Sequence, residues 1–190
     1  MPTFDPKTTA LVLIDLQNGT LGMPLAPRSG AEVLETGKAL AKRFRAAGAL
    51  VVLVRVAFSS DFADTPSQEV DQPLKRPPGG LPAAWSTLAD GLAQPSDLVV
   101  TKRQWGAFYG TELDLQLRRR GIRSIVLGGV ATNFGVESTA RAAWEHGYDL
   151  FLVEDACATI TEELHAIALQ HIFPRIARIG TAQTISFAGV

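Results

Sequence analysis

The chain has 190 residues and a formal net charge of -1, from 18 lysines and arginines against 19 aspartates and glutamates. This balance argues against binding to nucleic acid or to an anionic membrane surface, because the chain has no overall basic field to attract either of them. The one cysteine, Cys157, excludes an internal disulfide and paired-cysteine metal motifs. We see no apolar leader and no apolar run of membrane-spanning length, so we expect a cytoplasmic protein.

Short apolar runs alternate with segments of helical periodicity along most of the chain. The patterns predict strands over 10–17, 49–58, 97–102, 124–130, 149–156 and 174–180, and helices over 31–47, 110–121, 133–147 and 161–173. Strands that are apolar on both faces are typical of a parallel sheet covered by helices on each side. We therefore predict a three-layer α/β/α fold with a six-stranded parallel sheet, Rossmann-like, in a single domain over 1–190.

The segment 59–96 differs from the rest of the chain because it is rich in proline and glycine. A stretch of this length inside a compact domain is usually a functional loop, and both of its flanks are predicted strands. We expect it to act as a long loop or lid, with short helical pieces around 82–92.

Charged or turn-forming residues follow three of the predicted strands directly. Asp15 ends the run ALVLID, Lys102 ends LVVTK, and the fourth strand leads into the turn GVATNFG, which ends at Gly135. Ligands bind beyond the carboxyl ends of strands in open parallel sheets. Asp15 and Lys102 are therefore predicted to form a partly buried ion pair in one crevice. The sequence leaves open whether burial raises the pKa of the carboxyl or the lysine lowers it.

Three motifs resemble those of the isochorismatase-like hydrolases, the cysteine hydrolase superfamily. They are LIDLQN around Asp15, TKRQWGAFYGTELDLQLRRRGI after Lys102, and GGVATNFGVESTARAAWEHGYDLFLVEDAC, and the resemblance runs from about residue 9 to residue 186. It implies a catalytic set of Asp15, Lys102 and the residue at position 135. The family usually has a cysteine there, whereas this chain has Gly135. The resemblance also implies a cis peptide between Val130 and Ala131, and a homodimer or homotetramer.

A glycine at position 135 removes the thiol that amidases of the family use for thioester chemistry. Family members with glycine here hydrolyse a vinyl ether, so the resemblance implies acid-catalysed hydrolysis of a small-molecule substrate. Asp15 is then the general acid, Lys102 holds the substrate carboxylate or positions Asp15, and Gly135 makes room. Two alternatives remain open: a non-catalytic small-molecule-binding protein, and an amidase with a relocated thiol from Cys157.

Further residues near these motifs are candidates for substrate contact, although core or dimer packing is an alternative for the aromatic ones. The predicted substrate-binding residues are Gln17, Trp105, Phe108, Ala131, Thr132 and Phe134. The three histidines, His146, His165 and His171, fall on predicted helices and are interpreted as surface or helix-packing residues. We therefore expect no bound metal and no cofactor.

Overall fold

A computed structural model describes residues 2–189, and its centre is a sheet of six parallel strands. The strands, numbered in chain order, are β1 Thr3–Phe4, β2 Thr9–Ile14, β3 Leu50–Val56, β4 Leu98–Lys102, β5 Ser124–Val130, β6 Asp149–Ala158, β7 Arg178–Gly180 and β8 Ser186–Phe187. The large sheet has the order β4-β3-β2-β5-β6-β7. The predicted six-stranded parallel sheet is confirmed.

Helices connect the strands and cover the sheet. They are α1 Asn18–Leu21, α2 Gly30–Ala46, α3 Leu113–Arg119, α4 Glu137–Glu145 and α5 Glu162–Ile167. The Ser29 side chain accepts a hydrogen bond from Glu32 N, while the Glu32 carboxylate accepts one from Ser29 N, so α2 begins with a capping box. Within residues 2–189, no helix combines the length and the apolar character needed to cross a membrane.

The sheet has a separate apolar core on each face, and this makes the fold three-layered. Alternate side chains of a strand point to opposite faces. In β2, Val12 and Ile14 pack toward the core that includes α3 and α4. Leu11 and Leu13 pack toward the core that includes α2. Both sets are apolar because both faces are buried, as the predicted α/β/α architecture requires.

The patterns missed a second, two-stranded sheet in which β1 pairs with β8 in parallel. Each strand has two residues, which is too short to show a period of two in the sequence. The Arg43 side chain of α2 fixes this region by donating hydrogen bonds to the carbonyl oxygens of Ala182 and Ile185, each at 2.6 Å.

The helix predicted over 133–147 begins with a wider turn. Residues Thr132–Val136 form a π-helical turn, in which Val136 N donates to Ala131 O, five residues back. The regular helix α4 starts at Glu137. The helix predicted over 161–173 is similarly divided, because α5 continues into a π-helical segment, Ala168–Ile172, and a 3-10 turn, Phe173–Arg175.

The segment 59–96 contains no strand, and its helical content is one 3-10 turn, Ala83–Ser86. Its second half is attached to the chain that follows β2. Asn18 N donates to Thr87 O at 3.0 Å, and Ala89 N donates to Leu16 O at 3.0 Å. Residues 67–79 are exposed. The segment therefore combines an attached end near Asp15 with an exposed arm.

We expect Gly129→Ala to be far more damaging than Gly110→Ala, although both glycines have positive φ, 131° and 66°. A methyl group on Gly129 would lie 2.1 Å from Ile14 O, inside the sheet. This clash should cost more than about 3 kcal/mol in the free energy of unfolding.

Gly110 is the matched control, because a methyl group there meets no described atom within 4 Å. Gly110→Ala should cost about 1 kcal/mol, from backbone strain alone. Urea unfolding of both variants measures the difference, and equal losses would show that the close approach at Gly129 does not matter.

Candidate active site

The carboxyl ends of β2 and β4 bring Asp15 and Lys102 together, although β3 lies between these strands. Asp15 directly follows β2, and Asp15 N donates to Val54 O of β3 at 2.8 Å. Lys102 is the last residue of β4 and pairs in register with Val56. Its Nζ donates to Asp15 Oδ2 at 2.7 Å. The predicted ion pair is therefore confirmed, and the long lysine side chain makes it possible across one intervening strand.

Both members of this ion pair are buried: Asp15 is 5% exposed and Lys102 is 2% exposed. Lys102 Nζ donates a second hydrogen bond, to Gln104 O at 3.1 Å. By contrast, no group within residues 2–189 hydrogen-bonds to Asp15 Oδ1, which is also buried. We refer to Oδ1 as the open oxygen of Asp15. A buried oxygen without a donor is unfavourable by about 1–3 kcal/mol, so it marks a place for a proton or a ligand donor.

Burial raises the pKa of the Asp15 carboxyl from its ordinary value of 3.8 to about 6. The charge and hydrogen bond of Lys102 lower the pKa, but they do not cancel the loss of solvation. In the structure, burial therefore outweighs the lysine in the balance that the sequence left open. The Asp15 backbone also has a φ of 52°, which is unusual for a residue with a side chain. Such strain tends to occur at functional sites.

Gly135 lies directly against this carboxyl. A methyl group on Gly135 would lie 3.4 Å from Asp15 Oδ2, 3.4 Å from Trp105 O and 3.1 Å from Ile14 Cγ2. The last distance is shorter than ordinary contact, so even alanine would require a small shift. The structure therefore gathers the three residues predicted as catalytic, Asp15, Lys102 and Gly135, in one place.

The turn carrying Gly135 is held by hydrogen bonds. The peptide bond between Val130 and Ala131 is cis, as the resemblance implied. Gly135 O accepts a hydrogen bond from Thr139 Oγ1 at 2.7 Å. Thr139 Oγ1 in turn accepts one from Ala107 N at 3.1 Å. The turn is thereby linked to the segment that follows Lys102.

Two predicted substrate-binding residues are engaged by contacts within the protein. Gln17 is fully buried; its Nε2 donates to Val56 O and Trp85 O, and its Oε1 accepts from Val56 N. The Phe108 ring is buried and lies against His146 and Tyr148. His146 and Tyr148 lie between the end of α4 and the start of β6, away from the carboxyl ends of the strands. Contact of Gln17 or Phe108 with substrate stays a prediction.

The other four predicted contact residues lie in or beside the turn. Trp105 is 61% exposed, and its ring meets the ring of Phe134 edge to face, with centroids 4.8 Å apart. Ala131 contributes its carbonyl oxygen, which accepts from Phe134 N and Val136 N, each at 3.1 Å. Thr132 is fully buried, and its hydroxyl is bonded within the protein.

The residue bonded to Thr132 is His165, which the sequence interpretation treated as a surface or helix-packing histidine. His165 is 5% exposed, and its Nδ1 lies 2.9 Å from Thr132 Oγ1. Burial, together with a smaller effect of the Arg28 charge, lowers the pKa of this imidazole to about 4. A histidine on an apolar helix face does not reveal its partner, so the sequence carried no signal for this contact.

Cys157 was predicted to follow the fifth strand, but it lies within β6, opposite Gly129. Its side chain is fully buried, and burial raises the pKa of the thiol to about 12. The thiol therefore keeps its proton at neutral pH and offers no thiolate nucleophile. Within residues 2–189 there is no cluster of three or more histidine, cysteine, aspartate or glutamate side chains that could hold a metal ion.

The Isochorismatase domain family matches residues 9–184. The uncharacterized isochorismatase family protein YecD of Escherichia coli O157:H7 is 50% identical, over 97% of this chain and 98% of that protein. The structure of an isochorismatase family protein from Burkholderia thailandensis has a TM-score of 0.92 at 46% identity, over 97% of this chain and 96% of that one.

A more distant relative has a named activity. The ureidoacrylate amidohydrolase RutB of Methylorubrum extorquens is 34% identical, over 80% of this chain and 71% of that protein. The family match and the high coverage by its relatives show that the chain belongs to the isochorismatase family. It is a hydrolase with the α/β fold of its structural neighbours.

We expect Lys102→Met to destabilise the fold, and to do so more at about pH 8 than at about pH 5. Without the ammonium group, the ionised Asp15 has no countercharge, which typically costs about 3–5 kcal/mol. The pKa of Asp15 then rises further in the folded state, because Lys102 no longer opposes the effect of burial. A higher pKa in the folded state means that the folded protein must give up its proton at a cost as the pH rises. The free energy of unfolding of Lys102→Met therefore falls further below that of the wild type at the higher pH.

Urea unfolding at the two pH values measures this difference. The double variant Asp15→Asn/Lys102→Met is the matched control, because it contains no buried charge at the site. We expect it to recover most of the stability lost at the higher pH. The same loss at both pH values, with no recovery in the double variant, would contradict a titrating buried carboxyl.

Proposed function

We propose that the protein catalyses the acid-catalysed hydrolysis of a small vinyl ether, with Asp15 as the general acid. The observation that carries this proposal is the asymmetric setting of the Asp15 carboxyl. Lys102 Nζ binds Oδ2 at 2.7 Å, while Oδ1, the open oxygen, is buried and has no donor within the described residues. A proton on the open oxygen removes the negative charge of the buried carboxylate, and from there the proton can be passed to a substrate.

The raised pKa of Asp15 suits this role. A general acid works best when its pKa is close to the working pH, and burial raises the pKa of Asp15 to about 6. A solvated aspartate would be ionised almost completely at neutral pH. Exclusion of water from a substrate-filled site would raise the pKa further.

In the proposed reaction, the proton moves from Asp15 Oδ1 to the terminal carbon of the vinyl group. The ether oxygen then stabilises the resulting oxocarbenium ion. A water molecule adds to the cationic carbon and returns a proton to the Asp15 carboxylate. The hemiketal formed in this way collapses to a ketone and an alcohol. The net reaction converts the vinyl ether and one water molecule into a ketone and an alcohol, and Asp15 is regenerated.

Lys102 stabilises the carboxylate that remains after the first proton transfer, because its ammonium group is already hydrogen-bonded to Oδ2. An ammonium group has three N–H donors. Two of them are directed to Asp15 and to Gln104 O. In the proposal, the third binds a substrate oxygen, such as that of a carboxylate next to the vinyl ether.

Gly135 provides room beside the carboxyl where a larger residue would press on Ile14. This chemistry needs no covalent nucleophile, so a glycine there is compatible with it. RutB is named as an amidohydrolase, but a thiol-dependent amidase activity has little support in this chain. Cys157 is buried in β6, and the pKa of its thiol is raised to about 12.

Other parts of the proposal concern the wider molecule. We propose that 59–96 is a lid within a single-domain chain, because its attached end lies beside the segment that follows Asp15.

Assembly as a homodimer or homotetramer is supported by exposed aromatic side chains, Trp105 and Tyr109, at 61% and 83% exposure. A cytoplasmic location is consistent with one buried, unpaired cysteine.

Pyruvate release from isochorismate tests the function directly. We expect the wild type to release pyruvate and Asp15→Asn to be slower by about 10²–10⁴-fold, because the amide cannot donate the proton. The wild-type rate should fall as the pH rises above about 6, where the free enzyme loses the acidic proton.

The fold of Asp15→Asn is checked by circular dichroism and thermal unfolding. Equal rates in the wild type and in a folded Asp15→Asn would remove Asp15 as the acid. Absence of release by the wild type would remove isochorismate as the substrate. If a ligand of this class then raised the Tm without turnover, the non-catalytic binding alternative would replace the enzymatic one.

A second prediction concerns the room at Gly135. We expect Gly135→Ala to lower the rate by about 10²-fold, because its methyl group presses on Ile14 Cγ2 at 3.1 Å and shifts the adjacent carboxyl. Gly106→Ala is the matched control, since its methyl group meets Ser138 at an ordinary 3.6 Å. The control should stay within about twofold of the wild type. Equal effects of the two alanines would contradict a specific need for space at position 135.

A further inference from the structure

A buried hydrogen bond joins two residues that the proposed reaction does not use. Thr132 Oγ1 lies 2.9 Å from His165 Nδ1, and both residues are almost entirely excluded from solvent. The two residues come from different elements, since Thr132 opens the π-helical turn after β5 and His165 lies in α5. The bond therefore ties the turn to a helix on the outside of the sheet.

The position of this bond within the turn gives it a consequence for the site. Thr132 is three residues before Gly135, which faces Asp15 Oδ2 across a gap that barely holds a methyl group. The turn has two other side-chain attachments, from Thr159 Oγ1 to Asn133 Oδ1 at 2.6 Å and from Thr139 Oγ1 to Gly135 O at 2.7 Å. Loss of the attachment at Thr132 would leave the first residue of the turn without its side-chain anchor.

We propose that His165 is a positioning residue, which fixes the Thr132–Val136 turn through its hydrogen bond to Thr132 and so holds Gly135 against the Asp15 carboxyl. This inference deepens the proposed function, and it rests on that function in taking Gly135 and Asp15 as the working site. His165 acts through Thr132, so its role is to maintain the geometry of the turn.

The choice of histidine fits this role. A buried imidazole is costly unless its nitrogen is hydrogen-bonded, and Thr132 supplies a partner that can donate or accept. Burial lowers the pKa of His165 to about 4, so the ring is neutral where Asp15 titrates. The anchor therefore stays unchanged, and adds no charge to the site, over the pH range of the proposed reaction.

Four variants separate the hydrogen bond from simple packing. In His165→Asn the side-chain amide takes the place of Nδ1 and can keep the bond, whereas in His165→Gln the amide takes the place of Nε2 and loses it. Thr132→Ser keeps the hydroxyl, and Thr132→Val removes it at nearly the same volume. The serine and valine pair keeps the test decisive if a histidine variant fails to fold.

The primary readout is hydrogen exchange of the backbone amides of residues 132–136 in the 15N-labelled chain, measured by NMR. We expect His165→Gln and Thr132→Val to speed this exchange by about tenfold or more, with the amides of α2 changed by less than about twofold. His165→Asn and Thr132→Ser should resemble the wild type. His171→Gln, at an exposed histidine shortly after α5, is the control and should change nothing.

This readout needs no substrate, so it remains decisive even if isochorismate is not turned over. Where turnover is measurable, the pyruvate rate should fall in His165→Gln and be retained in His165→Asn. The proposal is overturned if His165→Asn and His165→Gln behave alike, or if Thr132→Val exchanges like the wild type. Faster exchange throughout the chain, including α2, would also overturn it by showing a general loss of stability.

Discussion

The site depends on the interaction of the Asp15 carboxylate with the Lys102 ammonium group, both almost fully buried at the carboxyl ends of the parallel strands. The Asp15–Lys102 distance of 2.7 Å gives a strong charge-assisted hydrogen bond. Removing two charges from water is expensive, however, and the lysine compensates one carboxylate oxygen only in part. The net result is a carboxyl with a pKa raised to about 6 and one open oxygen.

The rest of the fold places that carboxyl against Gly135, the turn residue that has no side chain. The apolar strands β2 and β5 lie side by side, so the residues after them emerge at the same edge. Gly129 lets β5 approach Ile14 O closely, and the widened turn that follows brings Gly135 to Asp15 Oδ2. The proposed acid catalysis needs a positioned proton donor and no thiol, and in that proposal Asp15 is the donor.

Much of this architecture could be predicted from the sequence, because burial on both faces leaves almost wholly apolar strands with charges at their ends. The six parallel strands, the Asp15–Lys102 pair and the neighbourhood of Gly135 all follow from that pattern and the family resemblance. The π-helical turn could not be predicted, because it depends on which backbone donors reach Ala131 O. The contacts of Gln17, Phe108 and His165 could not be predicted either, because they are made with residues distant in sequence: Val56, Tyr148 and Thr132.

Titration of the Asp15 side-chain carbon by 13C NMR tests the central claim most directly. The Asp15→Asn variant assigns the signal, and the titration needs neither a substrate nor a folding transition. The account predicts that this carboxyl loses its proton at a pH of about 6, well above its ordinary value of 3.8. A pKa at or below 3.8 would contradict it, because Lys102 would then outweigh burial and Asp15 would have no proton to donate near neutral pH.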